Sequence, residues 1–265
     1  MQQPDLSVIR DDVRAMSVYA VPDATGLIKL DAMENPFGLP HELAQTLGAH
    51  LASVSFNRYP PSNPSAFKSR LAAHMGVPGP SYLLLGNGSD ELIHLVCQAC
   101  AKPGATVLSP WPSFSMYEVL ARLNQCRFVG VPLRADFQLD GPALLAAIAE
   151  HRPAVTFVAY PNNPTRNLFD RQLLAQAIEA AAPGLVVIDE AYLPYARDTW
   201  MPQLGAFPNL MVLRTISKLG LAGLRLGYLA ARPAWVRELD KVRPPYNINA
   251  LTLAATNFFL EYLEV

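Results

Sequence analysis

The sequence predicts an α/β protein, a three-layer α/β/α domain around a mostly parallel sheet. From residue 82 onward, short apolar runs alternate with segments of helical periodicity. The runs AVTFVAY, LVVID and LMVLRTIS are apolar and rich in β-branched residues, as expected of strands buried on both faces. The residues with chemical capacity fall just past such runs, at Gly88-Ser89-Asp90, Asn162-Asn163-Pro164-Thr165, Asp189-Glu190-Ala191-Tyr192 and Ser217-Lys218. In open α/β sheets ligands bind outside the carboxyl ends of the strands, so these four loops are expected to converge on one pocket.

The chain has 265 residues, 51% of them hydrophobic, enough for a sizeable core. With 21 basic and 22 acidic residues the net charge is -1, which points away from nucleic acid or an anionic membrane as a partner. No run reaches the ~18 apolar residues of a membrane span and no signal-peptide pattern opens the chain, so a cytoplasmic location is expected. Cys97 and Cys100 form a C-x-x-C pair with His94 nearby, but no second pair accompanies them and the run is helix-like. We read them as small core residues and expect no metal.

Taken in order, the stretch to Asn57 has little periodicity apart from turns in LDAMENPFGLP and a helical pattern from Glu42 to Leu51. FNRYPPSNP is a proline-rich loop carrying Tyr59. YLLLG is a strand leading into a helix from Glu91 to Ala101. ATVLS and CRFVGVPL are strands, PSFSMYEVLARLNQ and PALLAAIAEHR helices. DRQLLAQAIEAA is a helix between the strands AVTFVAY and LVVID.

The chemistry centres on TISKLGLAGLRLGY, residues 215–228. Lys218 is either a surface ammonium or a nucleophilic amine that forms an imine with an aldehyde cofactor. Ser217, Arg225 and the neighbouring glycines suit a bound phosphate and favour the second reading. Ser89 and Asp90 begin a helix, where early N–H groups attract a phosphate, or else serve as ordinary capping residues. Asp189 follows an apolar run and needs a partner: a protonated pyridine nitrogen, a structural arginine or backbone amides. Tyr192 and Asn163 can donate to a ring oxygen, and Phe114 can stack on a ring or simply fill the core. Together these groups read as a pyridoxal-phosphate site.

In order along the chain, LDAMENPFG, NRYP, LLLGNGSDELI, PSFSMY, YPNNPT, VIDEAY and TISKLGLAGLRLGY resemble the fold-type-I aminotransferases, and most closely the histidinol-phosphate aminotransferases. The resemblance implies pyridoxal 5'-phosphate as cofactor, Lys218 as the lysine that holds it, Asp189 as the pyridinium partner, and Tyr192 and Asn163 at the 3-oxygen. It implies Ser89, Asp90, Ser217 and Arg225 at the phosphate and Phe114 against the ring. Tyr59 would reach the site of a second subunit, which implies a homodimer with shared active sites. Tyr19 and Asn35 would lie on the substrate side.

The implied reaction is transamination between L-histidinol phosphate and 2-oxoglutarate, giving imidazole-acetol phosphate and L-glutamate. The alternatives are an aromatic-amino-acid aminotransferase or a threonine-phosphate decarboxylase on the same scaffold, or an inactive cofactor-binding fragment. The implied organisation is an arm and part of a small domain at 1–57, a large cofactor-binding domain at 58–250, and at 251–265 the start of a helix. That helix would lead to a small C-terminal domain carrying a substrate-anion arginine, beyond what is expected to be a partial sequence. Met33, Phe114 and Arg166 depart from the family's usual asparagine, tyrosine and glycine. At Arg166 a positive φ would carry a cost.

Overall fold

Among the described residues one sheet of seven strands forms, mostly where leucine- and valine-rich runs find sheet neighbours. The computed structural model describes residues 5–18 and 20–262, which divide into two compact units, Met1–Met33 and Glu34–Val265. The first carries one short helix, α1 (Asp11–Arg14), and local turns in which Asp5 and Asp23 accept from the amides of Ser7 and Thr25. The second begins with α2 (His41–Ala52), α3 (Ser65–Met75), β1 (Leu83–Asn87) and α4 (Ser89–Cys100). Then follow β2 (Thr106–Trp111), α5 (Met116–Leu123), β3 (Arg127–Pro132), α6 (Gly141–His151), β4 (Val155–Ala159), α7 (Arg171–Ala181) and β5 (Leu185–Asp189). The last elements are β6 (Leu210–Thr215), β7 (Leu226–Ala231), α8 (Pro233–Asp240) and α9 (Ala250–Phe259).

The strands lie in the order β1-β7-β6-β5-β4-β2-β3. Pairing is parallel from β3 through β2, β4 and β5 to β6, while β7 runs antiparallel to both β6 and β1. Strands β1 to β6 therefore point one way and only β7 is reversed. Their six carboxyl ends and the amino end of β7 share one edge of the sheet.

Successive strand residues point to opposite faces, and both faces are covered. Val186, Ile188, Leu210, Val212, Leu226 and Tyr228 pack on the side of α3, α6, α7 and α9. Leu185, Val187, Met211, Leu213 and Leu229 pack on the side of α4, α5 and α8. Three helices are fixed at their starts by side chains: Asp140, Asp170 and Asn249 accept from the amides of Ala143, Leu173 and Thr252. Cys97 is a core residue with Cys100 packed against it, and burial pushes both thiols up, so they act as small hydrophobes. Among the described residues no helix is long and apolar enough to cross a membrane.

The structure departs from the sequence expectations in five elements. The helix expected over PSFSMYEVLARLNQ starts only at Met116, because Ser113 donates to the Asn162 side chain and that same amide donates to the Pro112 carbonyl, holding 112–113 against the neighbouring loop. Helices α3 and α8 and strand β7 were not anticipated. LGYLAA is rich in glycine and alanine, and it becomes a strand through ladders on both sides. The helical pattern read into the last residues closes at Phe259, where the amides of Glu261 and Tyr262 turn back to the carbonyls of Phe258 and Phe259.

One buried ion pair ties the centre of the functional edge together. Glu190, directly after β5, has a side chain 0% exposed and meets Arg214 of β6 at 2.8 Å. Thr199 Oγ1 and the Trp200 amide also donate to Glu190, while Arg214 reaches the Met75 carbonyl and the Tyr228 hydroxyl. Removing one member strands a buried charge, so Arg214→Ala is expected to lower stability by about 3–5 kcal/mol in urea unfolding.

Candidate active site

Nine of the residues singled out in the sequence line one cavity of about 140 Å³ at the carboxyl edge of the sheet: Ser89, Asp90, Phe114, Asn163, Asp189, Tyr192, Ser217, Lys218 and Arg225. Tyr117, Ala159, Ala191 and Thr215 complete it. Roomier hollows of about 620 and 870 Å³ lie between α3 and α9 and at the amino ends of β4 and β5, away from this edge.

At one end the pocket is built to receive an anion. Gly88 is the N-cap of α4 with φ +80, so Ser89 and Asp90 occupy the first helical turn, where N–H groups lack intrahelical acceptors. No side chain caps this helix, which disposes of the reading of Ser89 and Asp90 as ordinary caps. Glu91 holds the turn from outside, accepting from the Asn87 amide at 2.6 Å and from Asn247 Nδ2 at 2.7 Å. Arg225 enters from the start of β7, 3.8 Å from the Asp90 carboxylate and 3.5 Å from Ser217 Oγ. A Cβ on Gly227 would lie 2.6–2.7 Å from the backbone of Gly88 and Ser89, so only glycine lets β7 pass this close.

At the other end sits a buried carboxylate of a different kind from Glu190. Asp189 accepts from the Tyr117 hydroxyl at 2.7 Å and from the Ala191 amide at 3.0 Å. Among the described residues no lysine, arginine or histidine pairs with it within 4.0 Å. Burial pushes its pKa up to about 6, against the lowering effect of the two hydrogen bonds, and Asp90 and Glu190 push the same way as burial. Lys218 Nζ, in the lining of the same cavity, lies 5.5 Å from the centre of the Tyr192 ring. Asn163 Nδ2 approaches the Tyr192 hydroxyl at 3.4 Å. Burial raises the Tyr192 pKa, so it remains a hydrogen-bond donor.

The pattern described as aminotransferase class I and II matches residues 25–261. The chain belongs to this aminotransferase family. It is 57% identical to histidinol-phosphate aminotransferase 1 of Burkholderia lata, over 97% of this chain and 72% of that protein. It is 56% identical to histidinol-phosphate aminotransferase 1 of Ralstonia nicotianae, over 97% of this chain and 70% of that one. Its fold is similar to a histidinol-phosphate aminotransferase from Sinorhizobium meliloti solved in complex with pyridoxal-5'-phosphate, with TM-score 0.84 and 24% identity, covering 98% of this chain and 73% of that one.

The residues of this aminotransferase pocket fit pyridoxal phosphate. A helix start, Ser217 and Arg225 suit the phosphate. The buried carboxylate of Asp189, without a cation partner among the described residues, suits a protonated ring nitrogen, and Lys218 lines the same cavity. Asn35 lies beside the lysine turn, its Nδ2 3.0 Å from where a Cβ on Gly220 would be, but it does not line the cavity. Tyr59 is 81% exposed and stacks on Tyr246 with ring centres 4.7 Å apart, and it does not line its own chain's pocket. Tyr19 lies outside the described residues. Sequence reasoning assigned no role to Tyr117 or Gly227. Tyr117 follows Phe114 by three residues, a spacing that brings two side chains near one another, and their rings meet edge to face at 5.6 Å.

Arg166 has φ +63, the left-handed region that its usual family counterpart, glycine, occupies without strain. Relief of that strain minus the chain entropy of glycine leads us to expect Arg166→Gly to stabilise the protein by about 0.5–1 kcal/mol in denaturant unfolding. Gly227→Ala should displace the Gly88–Ser89 turn, costing about 1–3 kcal/mol of stability. It should also weaken pyridoxal-phosphate binding by about tenfold or more, the loss of one charged hydrogen bond, in a spectroscopic titration.

Proposed function

We propose that this aminotransferase transfers the amino group of L-histidinol phosphate to 2-oxoglutarate, giving imidazole-acetol phosphate and L-glutamate, as a step of histidine biosynthesis. The observation that carries the chemistry is one cavity lined by a lysine, an anion-binding helix start and a buried carboxylate that no lysine, arginine or histidine pairs with among the described residues. The choice of substrate rests on the names of relatives more than half identical over nearly the whole chain.

Bound pyridoxal phosphate supplies an electron sink for charge developing at the substrate α-carbon. The protein's part is to hold and to move protons. Lys218 holds the cofactor's aldehyde carbon and, once released by the substrate amine, carries the proton at the substrate α-carbon. Asp189 keeps the ring nitrogen protonated. Tyr192 and Asn163 donate to the ring 3-oxygen, and Phe114 covers a ring face. The amides at Ser89 and Asp90, the Ser217 hydroxyl and the Arg225 guanidinium hold the phosphate. Asp90 serves through its backbone, since its carboxylate repels a phosphate and faces Arg225. In this reading the enzyme is a cytoplasmic homodimer in which Tyr59 reaches the phosphate of the neighbouring site, and Tyr19 and Asn35 contribute to substrate binding.

The purified enzyme is expected to form glutamate from histidinol phosphate and 2-oxoglutarate. Turnover of phenylalanine without turnover of histidinol phosphate would defeat the assignment. Borohydride treatment should leave a pyridoxyl adduct on Lys218. Lys218→Ala should lose that adduct and lower kcat by more than about 10²-fold.

A further inference from the structure

Tyr117 is a wholly buried phenol whose hydroxyl donates to the carboxylate at the heart of the pocket. We propose that Tyr117 is a positioning residue for Asp189: its hydroxyl, donating to one carboxylate oxygen inside the core, holds Asp189 ionised and so sets the lowest pH at which the site accepts a protonated pyridine nitrogen. This rests on the reading of the pocket as a pyridoxal-phosphate site.

The ring has little freedom. It stacks on Phe157 of β4 with centres 4.9 Å apart and planes 6° from parallel, and it meets Phe114 edge to face. Its hydroxyl is thereby delivered to Asp189 Oδ2 at 2.7 Å, while Oδ1 is held by the Ala191 amide. A carboxylate has about four acceptor sites, so these two bonds orient it and leave capacity for a third donor from the pocket.

A phenol donates more strongly to a charged oxygen than to a neutral carboxyl, so the bond favours the ionised form. Burial and the neighbouring Asp90 and Glu190 all oppose ionisation, and the Tyr117 bond is the largest opposing influence. The other charged and titratable groups lining the cavity are Tyr192, Lys218 and Arg225. Burial and the carboxylate raise the pKa of Tyr117 itself, so it remains a donor throughout the working range. The sign follows: without the hydroxyl, Asp189 titrates at higher pH, its ionised fraction near neutrality falls, and a ligand bearing a protonated ring is bound less well.

The test uses Tyr117→Phe, which keeps the ring and removes the donor, and pyridoxamine 5'-phosphate, which cannot be captured covalently by Lys218. Binding is followed by fluorescence from pH 6 to pH 9, and the Asp189 carboxyl is titrated by ¹³C NMR in the cofactor-free chain. Loss of one charged hydrogen bond should raise the Asp189 midpoint by about one pH unit, which weakens binding about fivefold at pH 6, with most of the deficit gone by pH 9. In an Asp189→Asn background the same change should leave the pH profile unmoved.

A deficit equal at every pH, or an unchanged midpoint, would overturn the proposal and leave Tyr117 as packing. If Tyr117→Phe does not fold, a difluorotyrosine at position 117 keeps the ring and makes a stronger donor. It must then lower the Asp189 midpoint, and a midpoint that stays or rises overturns the proposal. Failure of the unmodified protein to bind pyridoxamine phosphate at any pH would defeat the cofactor reading. The carboxyl titration in the cofactor-free chain would still decide the coupling.

Discussion

Two adjacent carboxylates end the central strand β5, and the rest of the functional edge depends on how each is matched. Glu190 is neutralised inside the protein by Arg214, whose guanidinium also reaches Tyr228 of β7 and the end of α3. That network fixes the ends of three neighbouring strands against one another. Among the described residues Asp189 meets hydrogen-bond donors and no cation, which leaves its charge for something that enters the pocket. The same stretch of chain thus carries a structural charge and a functional one, and the difference lies entirely in whether the fold supplies a cation.

The pocket that results is electrically polar along its length. At one end a helix start, Arg225 and Ser217 favour negative charge, and at the other Asp189 favours positive charge. A ligand with a phosphate at one end and a protonable ring nitrogen at the other matches both. Lys218 lines the same cavity, beside the Tyr192 ring. The reversal of β7 makes this possible, because it delivers Arg225 at the amino end of a strand to an edge otherwise made of carboxyl ends. Its glycine at 227 allows the phosphate turn and the strand to touch.

The departures from the family's usual residues have structural consequences of different weight. Arg166 and Met33 both adopt positive φ, so each stands in a conformation that an L side chain adopts only at a cost. Phe114 still lines the cavity and still meets Tyr117, so the absence of a hydroxyl there leaves the ring's place intact.

Much of this was legible in the chain itself. Runs buried on both faces announce parallel strands, and chemistry placed just past each run announces the edge at which they end. Lys218, Asp189, Asn163 and Tyr192 were therefore identifiable as pocket residues without coordinates. What local sequence could not carry was any property created by pairing distant segments. Strand β7 is too glycine- and alanine-rich to declare itself and exists because β1 and β6 flank it. Tyr117 looks like any core aromatic until the fold sets its hydroxyl against a carboxylate 72 residues away. Which groups are present, and at which edge they gather, can be read from the chain alone. Only the tertiary structure decided which buried charge is already answered and which is left open, because the cost of a buried charge depends on what stands beside it in space.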